Sequence, residues 1–176
     1  MTSLFTPETK ETITDPAAIQ VCLNDRGIIF EQWPTPAKLA QDASQGEILG
    51  AYGAVLDPYM AAHGYQTADV INIHSAIENY PALRAKFLAE HTHSEDEVRF
   101  FVAGQGLFWF NLDGYPVFNV KCEAGDLISV PQGTKHWFDA GPEPNVKAIR
   151  IFSNMEGWTP HYTDSKVEQD YLQFTL

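Results

Sequence analysis

From residue 90 to about residue 155 the chain is written in short apolar runs separated by turn residues. That pattern fits a small antiparallel barrel or sandwich and argues against alternating β-α-β units. The runs are Val98–Val102, Leu107–Phe110, Val117–Val120, Leu127–Val130, His136–Phe138 and Val146–Phe152. Between them stand Gly104 and Gly106, Asp113-Gly114, Gly125-Asp126 and Pro131–Thr134. Upstream of residue 90 the signals are mostly helical. Thr35-Pro36 offers an N-cap followed by proline at the first helical position. Ser44 and Glu47 have the spacing of a capping box, and Ile48, Tyr52, Val55 and Tyr59 form a stripe at helical spacing that ends near His63-Gly64. A second helix is predicted over about Pro81–Ala89, with Leu83, Phe87 and Leu88 inward and Arg84 and Lys86 outward. Ala68–Ile73 reads as a strand, and Gly27–Phe30 as a weaker one. The tail from Trp158 to Leu176 is polar and aromatic, a segment to wrap the barrel or lie loosely on it. One domain of 176 residues is expected, with helices packed outside a mainly β core.

The first of these strand runs is preceded by the string EHTHSEDE. If Thr92 lies between two strand residues, His91 and His93 point to the same face, because side chains alternate with period two. Glu97 returns to that face after a short irregular stretch, and His136 in PQGTKHW arrives from a later strand. Three imidazoles and one carboxylate suit Fe, Ni, Mn or Zn. On an octahedral ion they leave two positions for a bidentate substrate or for O₂. His63, His74 and His161 fall outside this spacing and read as ordinary structural or surface residues.

Strand parity extends the site. If Glu97 faces inward, so do Arg99 and Phe101, while Val98 and Phe100 face the opposite layer. An inward arginine in an apolar barrel needs an anionic partner. That partner is either a structural carboxylate or an anionic substrate. Arg150, on another predicted strand, joins it or makes an outward ion pair. Glu95, Asp96 and Asp126 read as loop and turn residues.

With 23 acidic against 11 basic residues, the formal charge of −12 and the absence of a Lys/Arg cluster disfavour nucleic acid and anionic membranes as partners. Cys22 and Cys122 form no CxxC pair and read as plain thiols. The polar start and the lack of a long apolar run lead to the expectation of a cytoplasmic, soluble protein.

Two of the strings resemble the paired signatures of the cupin superfamily: His93, Glu97 and Gly104 in the first, Gly125, Pro131, Gly133 and His136 in the second. A trailing asparagine usual there is replaced by Ala140. At finer grain GYQTADV, LRAKFLAEHTHSEDEVRFFV, DLISVPQGTKHWFDAG and IRIFSNMEGW, spread over roughly residues 20 to 165, resemble the acireductone dioxygenase family. The resemblance implies a cupin-type antiparallel β-barrel whose ligands are His91, His93, Glu97 and His136, holding one Fe²⁺ or Ni²⁺ per chain. It also implies pocket walls at Phe87, Phe138 and Trp158, for which core packing is the plain alternative. The implied substrate is a small anionic enediol, 1,2-dihydroxy-3-keto-5-methylthiopentene, cleaved with O₂ in methionine salvage by a monomer. The iron form would yield formate and 2-keto-4-methylthiobutyrate; the nickel form, formate, carbon monoxide and 3-methylthiopropionate. Another metal-dependent cupin enzyme, an isomerase or a different dioxygenase, and a non-catalytic cupin binding protein are the alternatives.

Overall fold

A computed structural model describes residues 1–35, 39–40, 42–153 and 159–176. The anticipated helix start at Thr35-Pro36 runs into residues outside this set. In chain order the elements are β1 (Ser3–Thr6), β2 (Glu11–Ile13), α1 (Pro16–Asn24), β3 (Ile29–Gln32), α2 (Gln45–His63), β4 (Thr67–His74) and α3 (Tyr80–Leu88). There follow β5 (His91–Thr92), β6 (Glu97–Phe110), β7 (Phe118–Glu123), β8 (Asp126–Val130), β9 (His136–Asp139), β10 (Asn145–Phe152) and β11 (His161–Tyr162). A 3₁₀ turn at Val167–Tyr171 closes the chain.

The strands form two antiparallel sheets that share β6. One runs β4-β10-β6-β8-β3, the other β11-β5-β9-β6-β7-β1-β2. Two runs that read as separate strands, Val98–Val102 and Leu107–Phe110, are thus a single fourteen-residue strand that turns a corner between sheets. A bulge makes the corner. Phe101 pairs with Ala148 and Ala103 with the adjacent Lys147, so Val102 is an extra residue on β6. One extra residue reverses the in-out parity of everything after it. Before the bulge Glu97, Arg99 and Phe101 face the interior, while Val98 and Phe100 pack on Ile48, Tyr52, Leu56 and Tyr59 of α2. After it Phe108 and Phe110 face the interior, while Leu107 and Trp109 face out. Gly104 makes the turn possible. Its φ is +75°, and a Cβ there would stand 2.5 Å from the Asn145 carbonyl carbon and nearer still to its oxygen.

The capping box at the start of α2 forms as read: Ser44 Oγ accepts from the Glu47 N–H and a Glu47 oxygen accepts from the Ser44 N–H, an arrangement that contributes about 1 kcal/mol. Gly64 ends the helix in the left-handed region at φ +76°. Of the predicted stripe, Val55 is only partly buried and Leu56 takes the inner place.

The barrel uses more of the N-terminal part than helices alone, because β1 pairs with β7, β3 with β8 and β4 with β10. The tail wraps. Val167, Tyr171, Phe174 and Leu176 cover the outward Trp109 and Trp137, whose rings stack at 5.5 Å. Two charge assignments are corrected. Arg84 does not face solvent: it donates to both oxygens of Asp139 at 2.8 and 2.9 Å, tying α3 to β9. Asp126 is more than a turn residue. It is fully buried and accepts from Thr2, Gln32 and the Glu123 N–H, so it anchors the chain's start and β3 to the barrel.

Gly104→Ala should lower the unfolding free energy by roughly 3 kcal/mol, from left-handed strain plus a backbone collision. Gly114→Ala, at φ +86° with open space around it, should cost only about 1 kcal/mol. Urea unfolding of both variants checks the difference; equal losses would remove the close approach as a cause.

Candidate metal centre

β5 and β9 pair with His91 directly opposite His136, so two imidazoles enter the interior from adjacent strands. His93 follows on the same face after Thr92, and Glu97 opens β6. The four ligand atoms all lie within 4.8 Å of one another. The intervening loop is stitched to the turn before His136. Gly133 N–H donates to the His93 carbonyl at 2.9 Å, and Gln132 N–H donates to Asp96 Oδ1 at 3.0 Å. The other Asp96 oxygen accepts from Tyr65 at 3.1 Å. Asp96 is therefore not a solvated loop charge; it clamps the two ligand-bearing loops together.

Which ring nitrogen faces inward is set by the backbone. His91 Nδ1 lies 2.7 Å from the Ala89 carbonyl and His136 Nδ1 2.8 Å from the Thr134 carbonyl. A carbonyl only accepts, so Nδ1 carries the hydrogen in both rings and Nε2 presents a lone pair to the cluster. Burial, then the neighbouring His136, push the His91 pKa down to about 4, so that ring is neutral near pH 7. Glu97 Oε2 lies 2.9 Å from His93 Nε2 and 3.1 Å from His136 Nε2. Burial raises the Glu97 pKa, but Arg99 and the two histidines outweigh it and hold the carboxyl well below its ordinary range. Lone pairs and an anionic oxygen converging at such distances call for a cation between them. The donor set therefore fits a divalent transition ion on its own chemistry.

Glu90, immediately before His91, was not singled out in the sequence. It is buried, and its carboxylate accepts from Asn111, Thr163 and Ser165 at 2.6 to 2.7 Å, which fastens the tail to β5. Burial alone would raise its pKa; these three donors bring the net value below the ordinary one.

The cluster lies at one end of a cavity of about 230 Å³. Arg99, Arg150, Phe87 and Phe138 all line it. Lys86 and Tyr162 also line it and were not anticipated. Trp158 lies outside the described residues. Arg99 donates to Glu97 Oε1 at 3.0 Å, so its carboxylate partner is a member of the cluster itself. Arg150 pairs in register with Arg99 on one side and with Asp69 on the other. It binds Asp69 through two bonds of 2.8 and 2.6 Å, so the ion pair and the inward position occur together.

Two antiparallel sheets closing over a His₃Glu cluster define a cupin-type metal-binding barrel. Comparison with known proteins narrows the class. The ARD/ARD′ family matches residues 4–160. An acireductone dioxygenase of Picosynechococcus sp. is 74% identical over 176 residues, all of both chains. Acireductone dioxygenase 2 of Pectobacterium atrosepticum is 49% identical over 157 residues, 89% of this chain and 86% of the relative. A solved acireductone dioxygenase from Bacillus anthracis, with a cadmium ion in its active centre, superposes with a TM-score of 0.82 at 33% identity. It covers 92% of this chain and 98% of its own. The chain belongs to the ARD/ARD′ family, the acireductone dioxygenases.

His93→Ala should abolish stoichiometric metal binding, whereas His161→Ala, on exposed β11, should leave it intact; metal analysis of both purified proteins checks this. Asp96→Ala keeps all four ligands but loosens the clamp, and should weaken metal affinity about tenfold in a competitive chelator titration. Unchanged affinity would show that the loops hold their positions without it.

Proposed function

We propose that the chain cleaves 1,2-dihydroxy-3-keto-5-methylthiopentene with O₂ in methionine salvage, holding one Fe²⁺ or Ni²⁺ on His91, His93, Glu97 and His136. With Fe²⁺ the products are formate and 2-keto-4-methylthiobutyrate; with Ni²⁺ they are formate, carbon monoxide and 3-methylthiopropionate. The observation that carries this reading is the polarity of the cavity. By strand register the ligand cluster and two guanidinium groups lie together, and Ile71, Ile73 and Val146 follow further along β4 and β10. Leu83, Phe87 and Phe138 add apolar wall, and Lys86 and Tyr162 complete the lining. A small anion with an apolar arm matches both ends.

His91, His93, Glu97 and His136 would hold a divalent ion, which would supply Lewis acidity toward an enediol. The protein residues do the remaining work. Arg99 holds Glu97 ionised from one side and presents a planar fork to oxygens bound beside it. Arg150, fixed by Asp69, adds a second positive charge to the same wall and is kept off Glu97. Glu97 Oε2, set between His93 Nε2 and His136 Nε2, is placed as a ligand. Phe87 and Phe138 exclude water from the apolar end and limit where the arm can lie.

The same reading includes a single functional unit spanning residues 1–176, a monomer of the cytoplasm with no nucleic-acid or membrane partner. The free Cys22 and Cys122 and the net charge of −12 support it. Among the described residues no helix is long and apolar enough to cross a membrane.

The test is to strip the protein with a chelator, reload it separately with Fe²⁺ and Ni²⁺, and follow O₂ uptake and products with the acireductone. Carbon monoxide from the nickel form alone supports the proposal; no O₂ uptake with either ion overturns it. Arg99→Lys keeps the charge but not the fork. Metal content should persist while kcat/KM falls at least tenfold, about 1.4 kcal/mol. Unchanged kcat/KM in a metal-loaded variant would remove Arg99 from substrate binding.

A further inference from the structure

Gly106 has no conformational reason to be glycine, since it lies within β6 and its φ is not in the left-handed region. Its reason is space. A Cβ on Gly106 would stand 2.5 Å from Phe138 Cε2 and closer still to Cζ, and 3.5 Å from Phe101 Cε1. The register explains the approach: Phe138 on β9 pairs with Phe108 on β6, so Gly106 is its diagonal neighbour on the same inward face. The Phe138 ring therefore lies back over a bare stretch of backbone. On its other sides it meets Phe108 at 5.0 Å and Phe87 at 6.3 Å between ring centroids. A ring pushed off Gly106 has the cavity to move into. Phe138 sits two residues from the ligand His136, so the displaced ring would fill the apolar space next to the cluster.

We infer that Gly106 is a specificity-determining residue, setting how long an apolar arm the cavity accepts by letting the Phe138 ring retract. It acts through Phe138 and touches neither the ligands nor the reacting oxygens. The inference rests on the acireductone reading of the site and adds to it the element that measures the substrate's arm. A single methylene changes discrimination in an apolar pocket by roughly tenfold or more, so one methyl group at residue 106 should be readable.

The experiment uses Ni²⁺-loaded protein and three acireductones with the same dihydroxy-keto head. Their arms are methyl, the methylthioethyl group, and methylthioethyl extended by two carbons. Gly106→Ala should depress kcat/KM for methylthioethyl at least tenfold more than for methyl. Phe138→Leu in an otherwise unchanged chain should improve the extended arm relative to methylthioethyl. The double variant Gly106→Ala/Phe138→Leu should regain both the arm preference and the melting temperature lost by Gly106→Ala, with metal content constant throughout. If Gly106→Ala fails to fold, Phe138→Leu and the double variant still carry the test. An equal fall for all three arms, or unchanged ratios in every variant, overturns the inference while leaving the acireductone reading intact. No turnover of any arm by the unmodified, metal-loaded protein overturns both.

Discussion

Burying three imidazoles and a carboxylate between two sheets costs free energy unless each polar atom meets a partner. For two of the rings the partner is a main-chain carbonyl. Ala89 and Thr134 each accept from the Nδ1 of the histidine two residues on, which fixes the tautomer and aims Nε2 at the cluster. The remaining imbalance is concentrated where Glu97 Oε2 meets two imidazole nitrogens, and a divalent cation there would resolve it. Everything around the cluster serves that geometry. Asp96 and Gly133 lock the loops, Glu90 fastens the tail behind β5, and Arg84 binds Asp139 to hold α3 beside β9.

The long strand β6 connects this chemistry to the fold. Its first half carries Glu97 and Arg99 into one sheet, and its second half carries Phe108 and Phe110 into the other. The extra residue at Val102 makes both sets face inward, and Gly104 permits the backbone to pass close to Asn145 at that corner. The outer faces are then covered differently, by α2 on one sheet and by the aromatic tail on the other. Ligands, guanidinium groups and apolar walls thus share one interior because a single strand changes parity once.

Much of this was legible in the sequence because metal ligands follow local rules. His91 and His93 obey the period of two, and Glu97 and Arg99 share parity on one strand. Capping chemistry defined both ends of α2. What escaped reading depended on partners far away in the chain. Arg84 looked solvent-facing because nothing near it announces Asp139, 55 residues on. Asp126 followed a glycine and looked like a turn, yet its partners Thr2 and Gln32 come from the N-terminal part. Val167, Tyr171 and Phe174 stand at i, i+4 and i+7, a helical spacing, but three such residues in a short polar tail do not announce Trp109 and Trp137 as the surface they pack on. Gly106 looked like a break between strands; only the Phe138 ring above it reveals its purpose.

Whether three imidazole nitrogens and one glutamate oxygen hold a single divalent ion inside the barrel can be read by X-ray absorption at the nickel edge of protein reconstituted with one equivalent of Ni²⁺. The expected result is one tightly held ion per chain, multiple scattering from three imidazoles, and otherwise oxygen ligands. A sulfur ligand, fewer than three imidazoles, or an ion that washes away on gel filtration would contradict it.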